Sequence, residues 1–220
     1  MADVLGRRSL IAVSSVLLGA AALAGYFEGA PFFSAGPSAG EQFAAWQDGH
    51  VVDGLSVGSH TVLMNSCLLA LTSAYGRAQP TPDRLQVARA CAERATEETA
   101  ANPSFAYGWY VLAMASSHIG NWDTMNEALA MAQTTASTEQ WLAELRVALA
   151  EDNFDRLAPA VLARHERDLA LLVRSRRGIS AIAERYVANP GFRARITDIV
   201  EQLDSSSQLA FIDAVRAAAG

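Results

Sequence analysis

The chain has 220 residues, 51% of them hydrophobic, and a net charge of −6. Residues 41–154 hold 5 Arg against 13 Asp and Glu, and that acidic middle argues against nucleic acid or anionic lipid as the main partner. Ala, Leu, Glu, Arg and Gln abound while period-two Val-Ile-Thr runs are scarce, which disfavours a β-rich domain and makes the expected fold class all-α.

Residues 9–27 read SLIAVSSVLLGAAALAGYF, an uncharged run behind Arg7-Arg8 that Glu28 closes. As a helix rising about 1.5 Å per residue it spans roughly 28 Å, close to a bilayer's hydrocarbon core. No cation follows Arg8 until Arg77. The positive-inside rule therefore keeps the N-terminus in the cytoplasm and carries residues 28–220 across. Residues 1–28 are read as a transmembrane anchor in the inner membrane, with the bulk of the chain in the periplasm. Ala22-Leu23-Ala24 also fits a signal-peptide cleavage site behind an apolar core of Leu10–Leu18, and Arg7-Arg8-Ser9-Leu10 bears a faint twin-arginine pattern. Every version exports the bulk of the chain.

Residues 29–59 read as a linker. Its first part, GAPFFSAGPSAG, is rich in Gly, Pro, Ser and Ala, and Phe32 and Phe33 are free to meet membrane or partner. Phe43 and Trp46 suggest a short helix, which Asp48-Gly49 and Asp53-Gly54 break. Helices are then expected near 60–76, 82–101, 104–119, 122–135, 138–151, 157–176, 178–188, 191–203 and 206–218. Thr81-Pro82, Asn102-Pro103, Gly120-Asn121 and Asn189-Pro190-Gly191 punctuate them, and Ser137/Gln140 and Ser205/Gln208 have capping-box spacing. Folding the first two helices antiparallel about Gln79 places Cys67 and Cys91 each 12 residues from the tip, side by side and suited to a disulfide in an oxidising compartment.

The stretch NPSFAYGWYVLAMASSHIGNWDTMNEALAMA, residues 102–132, resembles the tetratricopeptide repeat. Trp109, Leu112 and Ala113 match the aromatic, leucine and small positions of that repeat's first helix, Gly120 its turn, and Leu129 and Ala132 the large and small sites of the second helix. Met125 replaces the usual small residue, and Ser137 stands where proline is common. The resemblance implies stacked helical hairpins over residues 60–154, with Trp109 in the core, and a surface that grips a peptide or helix of a partner. Among the neighbouring aromatics, Tyr107 is the one expected at the surface. Residues 155–220 are read as a separate C-terminal helical bundle without a repeat. There Phe192, Ile196, Ile199, Val200 and Leu203 form a stripe that Leu169, Leu172, Val173, Ile179, Ile182 and Tyr186 should face.

No HExxH, G-x-S-x-G, P-loop or dinucleotide fingerprint is present, so no catalytic residue, metal or cofactor is expected. His118 falls at a helix end and His165 on the polar side of a charged helix. His50, Asp53 and His60 remain as an alternative enzymatic or ligand-binding set. Arg174, Arg176 and Arg177, with Arg164, Arg167, Arg185, Arg193 and Arg195, are the sharpest candidates for contact with an acidic partner, an anionic lipid or a polysaccharide, or with the acidic middle of the same chain. The expected role is a membrane-anchored scaffold that binds other envelope or inner-membrane proteins, with an accessory place in polysaccharide assembly or export as one setting.

Overall fold

The computed structural model describes residues 2–34 and 36–220, with side chains from Leu10 onward. Met1 and Ala35, in the expected anchor and linker, lie outside the described residues, as do the side chains of Arg7 and Arg8. Twelve α-helices and a 3-10 turn, with no strand, make up the regular structure among the described residues, so the fold is all-α. The chain divides into two compact units, Met1–Ala90 and Cys91–Gly220.

The first unit contains α1 (Ala2–Ser34), α2 (Ala39–Asp48), α3 (Val57–Thr72), the one-turn α4 (Ala74–Ala78) and the first half of α5 (Thr81–Ala101). From Leu10 to Phe27 every residue of α1 is exposed, and the helix is long and apolar enough to cross a membrane. Burial begins at Glu28. The expected linker is not an extended tether: α1 runs through Gly29 and Pro31 to Ser34, and α2 follows almost at once. Pro31 sacrifices one helical hydrogen bond, yet its ring is buried, and packing outweighs that loss. In α2, Ser38 and Glu41 form a reciprocal capping box, while Phe43 and Trp46 turn inward against α3. The Trp46 indole N–H donates to Ser66 Oγ at 3.0 Å, satisfying the one polar atom that its burial would strand.

The single helix expected over 60–76 is broken at Ser73, whose extended backbone ends α3 and whose hydroxyl caps α4 by accepting from Gly76 N. Both cysteines are disulfide-bonded, and as the chain has only two, the bond joins Cys67 of α3 to Cys91 of α5.

The second unit continues from α5 into α6 (Ala106–Ile119), α7 (Trp122–Thr135), α8 (Gln140–Asp152), the 3-10 turn Phe154–Arg156, α9 (Pro159–Val173), α10 (Gly178–Ala188), α11 (Pro190–Glu201) and α12 (Ser205–Ala218). These helices form successive hairpins, α6–α7, α8–α9 and α10–α11. Each packs on the next in the same sense: α6 on α8 and α8 on α10, α7 on α9 and α9 on α11, with α12 closing the row against α10. A chain of hairpins that bury their faces on neighbours is the logic of a helical solenoid.

In the first hairpin Ala113, Ala128 and Ala132 are buried where the helices meet, and Leu112, Met125 and Leu129 fill the remaining space. Gly120 ends α6 at φ +75°, a left-handed conformation in which a side chain would be strained, and Asn121 caps α7 by accepting from Thr124 N. Two aromatic assignments are reversed. Tyr107 is buried, stacked on Tyr110 at 6.1 Å between ring centres and packed against Trp141 at 5.4 Å. Trp109 is only half-buried, because its indole N–H reaches back to the Pro103 carbonyl at 2.9 Å outside the helix.

Several caps shift as well. Asn102 accepts from the Ser104 hydroxyl in a turn, and α6 starts after Phe105 without a side-chain cap. Ser137 does not cap α8, whose N-cap position is Glu139, also without a side-chain cap bond, and Asp204 in place of Ser205 caps α12. Asn189 does cap α11, with Pro190 at its first position.

The expected boundary at residue 154/155 falls inside the second hairpin. Arg146 of α8, 2% exposed, pairs with Asp168 of α9 through two bonds of 2.7 Å and also donates to the Ala132 and Ala136 carbonyls at 3.3 Å. Asn126 of α7 donates to the Arg156 carbonyl at 2.9 Å and accepts from Ala158 N at 2.7 Å, tying the α8–α9 connection to the previous hairpin. The apolar core likewise runs across that boundary. Ala143 and Val147 of α8 join Leu169, Leu172, Val173, Ile182, Phe192, Ile196, Val200 and Phe211. The stripe on α11 and its facing residues therefore meet as expected, with Ile179, Tyr186, Ile199 and Leu203 at the margin.

Removing one member of a buried, bonded ion pair leaves an uncompensated charge at a cost of about 3–5 kcal/mol. Arg146→Ala or Asp168→Ala should lower unfolding free energy by about that amount, whereas Arg146→Met combined with Asp168→Leu should recover most of it. Chemical denaturation of the four proteins, monitored by circular dichroism, checks both statements.

A candidate binding groove between α9 and α11

α9 and α11 lie side by side, and between them opens a groove of about 790 Å³. Leu162, Leu169, Ile199 and Leu203 supply an apolar floor. Most of the residues arrive by helical spacing, 162, 166, 169 and 170 from α9 and 195, 198 and 199 from α11, with 202 and 203 following just past the end of α11. Arg167, Arg174 and Arg195 bring positive charge to the rim against Glu166 and Asp198. Phe154 closes one end, with the Arg195 guanidinium 3.9 Å from its ring centre.

At the foot of the groove lies a buried polar joint that pattern reading placed wrongly. His165 was expected on a solvated face; it is 5% exposed, and its Nε2 lies 2.7 Å from Glu151 Oε1. The other Glu151 oxygen accepts from Arg195. One carboxylate thus joins α8, α9 and α11. Burial acts to raise the Glu151 pKa, but the hydrogen bonds and charges of His165 and Arg195 outweigh it and hold the carboxyl below the ordinary glutamate range. The clue was in the spacing. Val161, His165, Asp168, Leu169, Leu172 and Val173 form one helical stripe, in which His165 and Asp168 occupy core positions.

The arginine candidates divide by partner. Arg195 and Arg185 meet Glu151 and Asp152, so part of the cluster does pair with the acidic middle of the chain. Arg164 donates to Thr134 Oγ1 at 3.1 Å, and Arg193 to the Tyr186 and Val187 carbonyls at 2.8 Å. Arg167, Arg174, Arg176 and Arg177 remain exposed, and of these Arg167 and Arg174 line the groove. Tyr107, expected at the surface, is unsuited to partner contact: burial pushes its phenol up to about 12.

His50 is exposed just beyond α2, Asp53 is exposed in the following loop, and His60 is half-buried in the first turn of α3. Among the described residues no group of three or more His, Cys, Asp or Glu is arranged to hold a metal ion. The groove's lining residues include no Ser, Thr or Cys; above an apolar floor they offer the guanidinium groups of Arg167 and Arg174 beside the carboxylates of Glu166 and Asp198, an arrangement that suits an amphipathic surface of mixed charge. No protein family, curated protein or solved structure matches this chain.

The lowered Glu151 value sets a direction for pH dependence. Its contribution to stability is complete above the ordinary glutamate value, about 4.3, and is lost as pH falls through the lower folded-state value. Glu151→Gln should therefore be less stable than the parent at pH 7, and the gap should narrow as pH falls below the ordinary glutamate range. Urea midpoints of both proteins from pH 7 downward through that range test it.

Proposed function

We propose that this chain is a single-pass membrane protein whose exported helical hairpins form a tetratricopeptide-like scaffold for other proteins of the cell envelope. The observation that carries the reading is the pairing of an exposed apolar helix, Leu10 to Phe27, with a hairpin row that leaves uncovered an apolar-floored groove rimmed by Arg167 and Arg174. Arg7-Arg8 before the apolar run argues for a cytoplasmic N-terminus, and the Cys67–Cys91 bond accords with an oxidising compartment such as the periplasm. The α6–α7 hairpin, with its glycine turn and alternating small and large contacts, supports the repeat reading. Three hairpins make a short row, which favours a lasting subunit role in an inner-membrane complex. The partner segment that best fits the groove is an amphipathic helix of mixed charge whose acidic residues meet Arg167 and Arg174.

The test is affinity purification of the tagged full chain in mild detergent, with Arg167→Glu combined with Arg174→Glu as the comparison. A reproducible envelope partner should be recovered with the parent and fall about tenfold or more with the reversed charges, while helicity stays unchanged. Recovery of no reproducible partner, or a C-terminal reporter active only in the cytoplasm, overturns the proposal.

A further inference from the structure

The exposed apolar part of α1 ends where the helix meets the rest of its unit. Glu28, one residue beyond Phe27, sits at the N-terminus of α3. Its carboxylate accepts from Leu55 N at 3.1 Å, from Ser56 N at 3.0 Å and from the Ser56 and Ser59 hydroxyls. Unpaired N–H groups and the positive end of the helix dipole make that position favourable for an anion. Two turns later Ser34 Oγ accepts from Val52 N at 3.4 Å. Between these bonds Gly54 lies against Pro31 and Ser59 so closely that a Cβ on it would stand 3.1 Å from Pro31 Cγ and 2.0 Å from Ser59 Oγ. Segment 51–57 is thereby pinned beside residues 28–34 of α1.

That placement sets its height along the anchor. The seven helical steps from Phe27 to Ser34 rise about 10 Å, and the headgroup layer on each side of a bilayer is roughly 5–8 Å deep. The pinned segment runs from Val52, level with Ser34, to Leu55 and Ser56, level with Glu28 in the first turn past the apolar run. The side chains at that lower end are unusual for a soluble surface: Leu55 is 66% exposed and Val57 58%. Residues 29–59 hold only Glu41, Asp48 and Asp53 as charges and no Arg. An acidic juxtamembrane segment of this kind is not drawn to anionic lipid; what it offers is apolar contact.

We propose that Leu55 and Val57, level with Glu28, form an apolar collar that inserts into the headgroup–acyl boundary of the bilayer, seating the first unit on the membrane surface. The proposal rests on the reading that α1 crosses the membrane. Continuity of the collar with the exposed apolar helix singles out lipid as its occupant. Insertion by apolar area alone is indifferent to lipid charge.

Site-directed spin labelling of the full chain in phosphatidylcholine vesicles tests the collar, with nitroxides at Leu17→Cys to report the anchor and Leu55→Cys to report the collar. The expected result is deep burial at Leu17 and, at Leu55, oxygen accessibility several-fold above that of a water-soluble nickel chelate, unchanged on adding anionic lipid. Val57→Asp should move the Leu55 label into water and leave the Leu17 label in place. A deep Leu17 with a water-accessible Leu55 overturns the collar and spares the anchor. A Leu55 label shielded from oxygen and nickel alike shows that protein covers the patch, and also overturns it. A water-accessible Leu17 removes the anchor and the collar together.

Discussion

Arg146 is the residue on which the order of the second unit depends. Its guanidinium is fully engaged, by the Asp168 carboxylate and by two carbonyls at the end of α7, so three helices from two successive hairpins converge on one side chain. Desolvating such a pair is expensive, and two well-packed apolar residues would serve stability as well or better. What the pair adds is register. A bidentate contact is satisfied in one alignment of α8 against α9, whereas the alanine- and leucine-rich faces of these helices would tolerate several. The Glu151 joint repeats the device one hairpin further along, linking α8, α9 and α11 through one buried carboxylate.

The Glu151 joint also shapes the groove. Arg195 is drawn inward to Glu151 and over Phe154, which closes one end of the opening between α9 and α11. Arg167 and Arg174 stay at the rim and remain available to a partner. A cluster that looks uniform in sequence is therefore split into arginines that hold the structure and arginines that face outward. The split follows from which helical face each residue occupies, since charge alone does not distinguish them.

In the first unit Glu28 has a comparable part. By satisfying the N-terminus of α3 it couples a helix read as a membrane span directly to the folded unit. A stretch of Gly, Pro, Ser and Ala would leave the domain swinging on a tether. A continuous helix through Ser34 instead fixes the direction of the apolar run relative to the residues it meets in that unit.

The all-α class, the places of most helices and the N-terminal apolar run were legible in the sequence because each rests on local physics: 3.6-residue periodicity, Asn189-Pro190 at a start, Gly120 at a stop. The Cys67–Cys91 pairing was also legible, since a hairpin with a known tip is a matter of counting. The stripe from Phe192 to Leu203 found its partners for the same reason. What only the tertiary structure decided lies where two distant segments compete for one side chain. Tyr107 and Trp109, two residues apart on α6, exchange their expected exposures because Trp141 and the Pro103 carbonyl are nearby in space. His165 and Asp168 look solvated until Glu151 and Arg146 are seen to face them. The linker becomes helix because Pro31 and Glu28 find α3 and its preceding loop. Periodicity identifies which face of a helix is buried; it carries no information on what stands opposite, and for a charged residue that neighbour determines whether the core accepts it.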